Sequence, residues 1–322
     1  MTQGKRVAVV VGASSGIGRA TALAFARERF DVVLAARGRP GLESAAAECR
    51  AAGGRTHVVP TDVGDADDVR ALVREAIATF GHVDVWASIA GVGAVGRFDD
   101  VPIEAHVRTI RTNLIGHLHG AHAVLPHFRE RRRGLLVNMS SVGGWVATPY
   151  AASYGASKFG VRGFGESLRA ELASSLPHVH VCDVFPAFVD TPGMAHGGNW
   201  TGKRVKPPPP LLDPRTVAAA IVALVDDPRP VVSVGSVAPP GRLAHALAPE
   251  LVNRTTARLM EAAFDHATSA PRTDGNLFEP STPAAIDGGH RGAAAGVATT
   301  AGIAALGLLA AWWLRGRWRA TA

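Results

Sequence analysis

The stretch Arg6-Val-Ala-Val-Val-Val11, followed by Gly12-Ala-Ser-Ser-Gly16-Ile-Gly18, decides the fold of this chain. An unbroken apolar run of this kind is typical of a strand that is buried on both faces of a parallel sheet. The glycines allow a tight turn and let the backbone approach a pyrophosphate at the start of a helix. A helix-like run from Arg19 to Arg29 follows directly. The order of strand, glycine turn and helix therefore predicts a dinucleotide site at the start of the chain.

Strand-like and helix-like segments alternate over the first two-thirds of the chain. Further strands are predicted at 31–36, 57–59, 83–87, 135–139, 179–185 and 231–234, with helices such as 65–80 and 213–225 between them. This alternation predicts a doubly wound α/β fold, Rossmann-like, with a parallel sheet covered by helices on both faces. Residues 193–210 contain Gly197-Gly198 and four consecutive prolines, which predict neither regular helix nor sheet.

A second group of residues, Ser141, Tyr154 and Lys158, has the composition of a proton-transfer site. If residues 151–174 are helical, Tyr154 and Lys158 lie four residues apart on one face. A neighbouring ammonium favours the phenolate and lowers the phenol pKa from its usual value of ~10, so Tyr154 could act as a general acid or base. Ser141, which follows the predicted strand 135–139, could hydrogen-bond a substrate oxygen and orient it.

Together the two motifs resemble those of the short-chain dehydrogenase/reductase family over residues 5–235. The family's glycine motif matches Gly12, Gly16 and Gly18, and its catalytic residues match Ser141, Tyr154 and Lys158. The resemblance implies that Asn113 is a fourth catalytic residue, which holds a water for a proton relay. It also implies cofactor contacts from Tyr154, Lys158 and the following residues: Ser14, Ser15, Ile17, Asp62, Val63, Ala90, Gly91, Pro186, Val189 and Thr191.

The chain departs from the family pattern at two positions. Where the family usually has Asn-Asn-Ala-Gly, this chain has Ser88-Ile-Ala-Gly91, so we expect different side-chain bracing there. Where the family usually has Pro-Gly, this chain has Pro186-Ala187. The segment 193–210 corresponds to the family's substrate lid, and here it carries the bulky residues Met194, His196 and Trp200.

The end of the second predicted strand favours NADP over NAD. The strand ends in Ala36-Arg37, with an arginine where an acid would repel a 2′-phosphate. A guanidinium can bind such a phosphate through charge-assisted hydrogen bonds. The alternative is that Arg37 is only a solvated residue at the end of a strand.

Composition agrees with one α/β domain and an appendage, since the chain has 322 residues and 47% hydrophobic content. Cys49 and Cys182 are expected to be buried, unpaired thiols in a reducing compartment. The charge of +7 could indicate nucleic-acid binding, but no basic module interleaved with aromatic residues is present, and anionic lipid or NADP explains the excess as well. The apolar N-terminal run is too short for a signal peptide and passes directly into the glycine turn.

Three histidines, His117, His119 and His122, lie close together in the sequence. Their spacing does not place all three on one helix face, so we predict no metal site. We expect them to lie on a helix surface, and the resemblance implies that subunits of a homo-oligomer pair through this region.

The C-terminal quarter divides into four predicted parts after a catalytic domain at 1–240. A helical extension at 241–267 has leucines broadly on one side, and either packs over the domain or lies against a membrane. A linker at 268–291 is rich in Pro, Gly, Asp and Thr. A charge-free run of 23 residues at 292–314 follows, and 315–322 is a basic tail.

The charge-free run predicts a membrane helix. As a helix it would span ~34 Å, enough for a hydrocarbon core of ~30 Å. Tryptophans and arginines after residue 311 resemble an interfacial border. The alternatives are a flexible Ala/Gly-rich tail, or a helix that does not fully cross. The catalytic domain is expected in the cytoplasm, and the orientation of the helix stays open.

The sequence thus predicts an NADP(H)-dependent oxidoreductase that interconverts a carbonyl and an alcohol on a lipophilic substrate. Two alternatives remain. One is a membrane-bound nucleotide-sensing or scaffold protein that keeps the fold without turnover. The other is an epimerase or dehydratase on the same fold, which would recycle its cofactor.

Overall fold

The computed structural model describes residues 5–236, 238–280 and 284–291. The predicted membrane helix at 292–314 and the basic tail lie outside these residues. Among the helices described, none combines enough length and apolar character to traverse a lipid bilayer.

Strands and helices alternate along the chain as the sequence predicts. The first half contains β1 (Val7–Val11), α1 (Gly16–Arg27), β2 (Asp31–Ala36), α2 (Arg39–Ala51), β3 (Thr56–Pro60), α3 (Ala66–Phe80), β4 (Val85–Ser88), β5 (Ala94–Val95), α4 (Ile103–Ile110) and α5 (Gly116–Arg131). The second half contains β6 (Gly134–Met139), α6 (Ala152–Ser175), β7 (Val179–Pro186), α7 (Gly193–His196), β8 (Gly198–Asn199), α8 (Pro214–Ala223), β9 (Val231–Val234), α9 (Ala238–Leu247) and α10 (Pro249–Asp265). A π-helical turn, Arg111–Ile115, joins α4 to α5.

Seven parallel strands form the main sheet, in the order β3-β2-β1-β4-β6-β7-β9. Strands β2 and β3 lie on one side of β1. The chain then crosses over, and β4 and the later strands of this sheet lie on the other side. Ligands of doubly wound sheets bind at such a reversal, beyond the carboxyl ends of the strands. Val11 pairs with Ser88, and Ser88 with Asn138, so β1, β4 and β6 end side by side at this crevice. The parallel Rossmann-like sheet is confirmed.

Each face of the sheet carries its own apolar core. Alternate residues of β1 point to opposite faces, with Ala8 and Val10 on one side and Val9 and Val11 on the other. Helices α1, α2 and α8 cover the first face, and α3, α5 and α6 cover the second. Cys49 and Cys182 are buried and unpaired in the first core, and burial raises the pKa of their thiols to about 11 and about 12.

Two elements differ from the sequence-based expectation. The helical extension expected at 241–267 is two helices, α9 and α10, because Pro249 begins α10 and proline disfavours a helical backbone at the preceding Ala248. The expectation of no regular structure at 193–210 is also wrong in part. Residues Gly193–His196 form a single helical turn, and Gly198–Asn199 pair with β5.

The segment predicted as a linker packs against the domain. Thr273 bridges to Asn199 and Ser269 to Lys203, and Leu277 is fully buried beside Trp200. Its prolines and glycines prevent helix formation, but they do not prevent an ordered, extended path when the backbone finds partners elsewhere. The segment therefore continues back across the domain toward the carboxyl ends of the strands.

Candidate active site

The glycine turn after β1 has the backbone geometry that only glycine adopts readily. Gly12 and Gly16 have φ angles of 96° and 54°, and a Cβ on Gly12 would lie 2.7 Å from the backbone nitrogen of Ala90. A Cβ on Gly18 would collide with the carbonyl oxygen of Gly12. The turn thus brings the backbone against the N-terminus of α1. The positive end of that helix favours an anion.

Tyr154 and Lys158 lie one turn apart on α6 and face the same crevice. Lys158 Nζ donates to the carbonyl oxygen of Met139 at 2.9 Å, and Ser140 Oγ donates to the carbonyl oxygen of Lys158 at 3.0 Å. These two bonds fasten α6 to the end of β6. Lys158 Nζ lies 5.6 Å from the centre of the Tyr154 ring.

Burial sets the proton affinities of this pair. It raises the pKa of the Tyr154 phenol, and the hydrogen bond with Ser141 only partly opposes that rise. It also lowers the pKa of Lys158 to about 8. The expectation that the ammonium lowers the phenol pKa is therefore wrong, because burial raises this pKa. At neutral pH the site holds a protonated phenol and, for the most part, a protonated amine.

Ser141 and Asn113 hold different positions in the site. Ser141 directly follows Ser140, and its Oγ accepts a bond from the Gly143 N–H at 3.1 Å. Asn113 lies in the π-helical turn and is fully buried. Its Nδ2 donates to Val92 O at 2.8 Å and to Ser157 Oγ at 3.1 Å, and its Oδ1 accepts from the Val92 N–H at 2.8 Å. The Asn113 side chain thus braces the segment after β4 against α6.

One cleft of about 1450 Å³ contains nearly all the predicted site residues. It is larger than the ~300–1,000 Å³ of an ordinary small-molecule site, so it has room for a dinucleotide and a substrate together. Asn113 lies behind the lining. The predicted residues that line the cleft are Gly12, Ser14, Ser15, Gly16, Ile17, Gly18, Arg37, Asp62, Val63, Ala90, Gly91, Ser141, Tyr154, Lys158, Pro186, Val189 and Thr191.

Arg37 and Asp62 both have protein partners at the far end of the cleft. Arg37 donates to the carbonyl oxygens of Asn276, Leu277 and Phe278 at 2.6, 2.9 and 3.1 Å. Burial and the nearby Arg108 lower the pKa of its guanidinium. Burial opposes ionisation of Asp62, but bonds from Arg108, at 2.6 Å, and from the Gly64 N–H outweigh it, so the pKa of Asp62 lies below its usual value.

The carbonyls that bind Arg37 belong to a segment that we call the C-terminal strap, residues 276–280 and 284–291. The strap also reaches the glycine turn. The Gly16 N–H donates to Ala285 O at 2.8 Å, and Arg19 Nη1 donates to Ala284 O at 3.1 Å. The strap therefore lies across the groups predicted to bind a dinucleotide. No motif in the sequence signals it, because its contacts are made mainly by backbone atoms.

Ion pairs hold the far end of the strap. Arg215, at the start of α8, donates two bonds of 2.8 Å to the carboxylate of Asp287. Arg291 lies 3.2 Å from Asp190 and 2.5 Å from Asp213. Asp190 follows β7, so the pair of Arg291 with Asp190 joins the strap to the loop that carries Val189 and Thr191. Fixing the strap therefore also restrains this loop.

Helices α9 and α10 lie over the other end of the cleft. The Trp145 ring is sandwiched between Arg162 of α6, at 3.6 Å, and Arg242 of α9, at 3.8 Å. Tyr150 OH donates to Glu261 of α10 at 2.8 Å. The lining that results is mostly apolar; six of its larger side chains are those of Phe188, Met194, Leu251, Leu259, Met260 and Phe264.

The three histidines have three different environments. His117 is buried, with 2% of its surface exposed, so the expectation of a helix-surface position is wrong for this residue. His119 bonds to the Val63 carbonyl at 2.9 Å, and His122 is exposed. Within the ranges that the structure describes, no group of three or more His, Cys, Asp or Glu residues could hold a metal ion.

Comparison with known proteins identifies relatives over most of the chain. A family model described as short chain dehydrogenase matches residues 6–201. The uncharacterized oxidoreductase YxnA of Bacillus subtilis (strain 168) is 33% identical over 281 residues, which cover 85% of this chain and 78% of that protein. Sepiapterin reductase of Chlorobaculum tepidum is 35% identical over 195 residues, covering 58% of this chain and 79% of that protein.

Two solved structures support the assignment. An alcohol dehydrogenase from the archaeon Thermococcus sibiricus, complexed with 5-hydroxy-NADP, has a TM-score of 0.62 and 29% identity. The match covers 71% of this chain and 95% of that enzyme's chain. A short chain dehydrogenase/reductase from Burkholderia phymatum, in complex with NAD, has a TM-score of 0.67 and 26% identity. The match covers 78% of this chain and 95% of that protein's chain. The chain belongs to the short-chain dehydrogenase/reductase family and is an oxidoreductase of that family.

Proposed function

We propose that this oxidoreductase uses NADP(H) to interconvert a carbonyl and an alcohol on a lipophilic substrate. The observation that carries the proposal is the position of Tyr154 and Lys158. Both lie at the end of β6, in the cleft that begins at the glycine turn. A proton donor, a cation and a dinucleotide cradle thus share one crevice.

The residues present fit a dinucleotide. The glycine turn carries no side chain at Gly12, Gly16 and Gly18, next to the N-terminus of α1. A Cβ on Gly16 would lie 3.2 Å from Thr191 Cβ, so Thr191 lies close to this turn. The bound cofactor would supply or accept the hydride. Its pyrophosphate would lie at the start of α1, and the Lys158 ammonium would hold the nicotinamide ribose.

The chain's own groups would handle the substrate oxygen. Tyr154 would donate its phenol proton to that oxygen during reduction and take it back during oxidation. The raised pKa of Tyr154 keeps the donor protonated at neutral pH. Ser141 Oγ, in contact with Tyr154, would hydrogen-bond the same oxygen and fix its orientation. Asn113 would take part in the relay by bracing α6, since both ends of its amide are already bonded.

Arg37 supports NADP over NAD. It stands at the end of β2, where the 2′-position of an adenosine ribose would lie. Its present partners are neutral carbonyls of the strap. A phosphate dianion makes stronger, charge-assisted bonds with a guanidinium than a carbonyl does, so a 2′-phosphate would displace them. The strap would then have to shift as the cofactor binds.

The apolar cover from α9 and α10 supports a lipophilic substrate. Leu251, Leu259 and Met260 face the cleft beyond Tyr154, where a steroid-like or acyl group could bury its surface. The membrane helix at 292–314 and a cytoplasmic catalytic domain stay predictions from the sequence; both agree with a substrate drawn from lipid. A homo-oligomer would bury the exposed Ile103 and Val107 of α4.

Replacing Tyr154 with Phe tests the proposed chemistry. We expect kcat for NADPH-dependent reduction of lipophilic ketones to fall by about 10²–10⁴-fold, because the proton donor is lost. NADPH affinity, measured by fluorescence titration, should stay near the wild-type value, and this serves as the control. In a sensor or scaffold protein, Tyr154→Phe would not affect function. Full turnover by Tyr154→Phe would refute a role for the phenol.

Replacing Arg37 with Ala tests the choice of cofactor. We expect NADPH affinity to fall by about 10–100-fold, as for the loss of a hydrogen bond to a charged group, and NADH affinity to change little. Arg39→Ala, which removes an exposed arginine two residues away, is the matched control. Isothermal titration calorimetry with NADPH and with NADH gives the ratio of the two affinities directly. If NADPH and NADH affinities fall together, Arg37 does not read the 2′-phosphate.

Loosening the strap should make cofactor binding easier. Asp287→Asn weakens the exposed pairs with Arg215 and Arg291. Each such pair is worth about 0.2–1 kcal/mol, so we expect NADPH affinity to rise by up to about fivefold for each pair weakened. Asp226→Asn, which weakens the exposed pair with Arg6 away from the cleft, is the control. Stopped-flow fluorescence measures association and affinity together. If Asp287→Asn behaves like Asp226→Asn, the strap does not compete with the cofactor.

A further inference from the structure

Two cations line the cleft without a role in the proposed chemistry. Arg204 and Lys206 both belong to the lining and both are exposed, so they lie at the mouth of the cleft. Neither side chain makes a hydrogen bond or an ion pair with the residues that the structure describes. The sequence outside those residues contains no Asp or Glu that could pair with them.

The backbone pairing places these cations at the end of the cleft that α10 covers. Asn199 forms an antiparallel bridge with Thr273, and the Arg204 N–H donates to Thr268 O at 2.8 Å. From Asn199 to Arg204 the segment therefore runs away from the strap, which begins at residue 276. It runs toward Asp265, where α10 ends.

The charged residues of the cleft thus form two groups. Arg37, Asp62 and Lys158 lie where a dinucleotide would bind, whereas Arg204 and Lys206 lie at the α10 end. Among the described residues, no other Asp, Glu, Lys or Arg lines this cleft. The α10 end therefore carries two positive charges that no carboxylate of the protein offsets.

Apolar side chains of α10 line the same end of the cleft. They include Leu259, Met260 and Phe264, and the Phe264 ring packs edge-on against that of Tyr150, with 5.2 Å between the ring centres. Tyr150 precedes α6, the helix that carries Tyr154. The end of the cleft beyond the proton donor is therefore apolar along α10 and cationic at its mouth.

We propose that the substrate is an amphipathic anion: an acyl compound that carries a carboxylate in addition to the carbonyl or alcohol group that reacts. Arg204 and Lys206 bind the carboxylate through charge-assisted hydrogen bonds, and the apolar body lies along α10. The inference rests on the proposed function for the reacting group and adds the charged end of the substrate.

The test is a calorimetric titration of the full chain with decanoate and with methyl decanoate, which has the same chain but no charge. Saturating NADPH is present, so that Arg37 and the glycine turn are occupied. We expect the wild type to bind decanoate more tightly than the ester. Combining Arg204→Met with Lys206→Met should lower decanoate affinity by about 5–25-fold, as for the loss of two exposed ion pairs, and leave ester affinity unchanged.

Two variants serve as controls. Lys203→Met removes a neighbouring lysine that is not part of the cleft lining, and it should bind decanoate as the wild type does. Arg204→Lys combined with Lys206→Arg keeps both charges and should also keep the affinity. Thermal unfolding checks that each variant is folded.

Three results of the titrations would overturn the inference. These are wild-type affinity no higher for decanoate than for the ester, unchanged decanoate affinity in the double methionine variant, and a parallel loss of both ligands in that variant. Cosedimentation with phosphatidylglycerol vesicles without binding of free decanoate would also overturn it, since the cations would then meet a bilayer surface. Because the titrations measure no turnover, absence of NADPH oxidation would refute the proposed function and leave the decanoate result standing.

Discussion

The active site depends on the attachment of α6 to the end of β6 through Lys158. Its ammonium donates to Met139 O, and its carbonyl accepts from Ser140 Oγ, so both ends of one residue are fixed to the same strand end. Tyr154 lies one helical turn earlier on α6, so the same two bonds also fix its position. Because the ammonium is desolvated, its proton is held less tightly than in water, while the phenol beside it holds its proton more tightly. The attachment thus fixes the positions of both side chains, and burial leaves a protonated phenol in the crevice.

The C-terminal strap connects the glycine turn and the end of β2 to the loop that follows β7. It bonds to Gly16 and Arg37 on one side, and its ion pairs reach Asp190 after β7 on the other. A dinucleotide would need several of the same donors. We therefore expect cofactor binding to be coupled to the position of the strap and, through Asp190, to the loop after β7. The apolar cover from α9 and α10 is anchored separately, through Trp145 and Tyr150, so it can remain in place while the strap moves.

Short sequence motifs predicted those parts of the site whose geometry is fixed by residues close together in the sequence. The glycine turn and the Tyr154–Lys158 spacing are of this kind, because a turn and a helix fix their geometry within a few residues. The pKa of Tyr154 could not be predicted, since burial depends on elements far away in the chain. His117 was expected on a helix surface, but it lies on the face of α5 that also carries the buried Ala121, Val124 and Phe128. No sequence motif predicted the strap, because it contacts Arg37 and Gly16 through backbone carbonyls, which every residue has.

The most direct test of this account is a single turnover with NADPH that is deuterated at its transferable position, together with a lipophilic ketone. Mass spectrometry of the product then shows where the deuterium goes. The account predicts an alcohol with one deuterium on the carbinol carbon. An alcohol without deuterium, or bound NADPH that no carbonyl substrate oxidises, would contradict the assignment of this crevice as a site of hydride transfer.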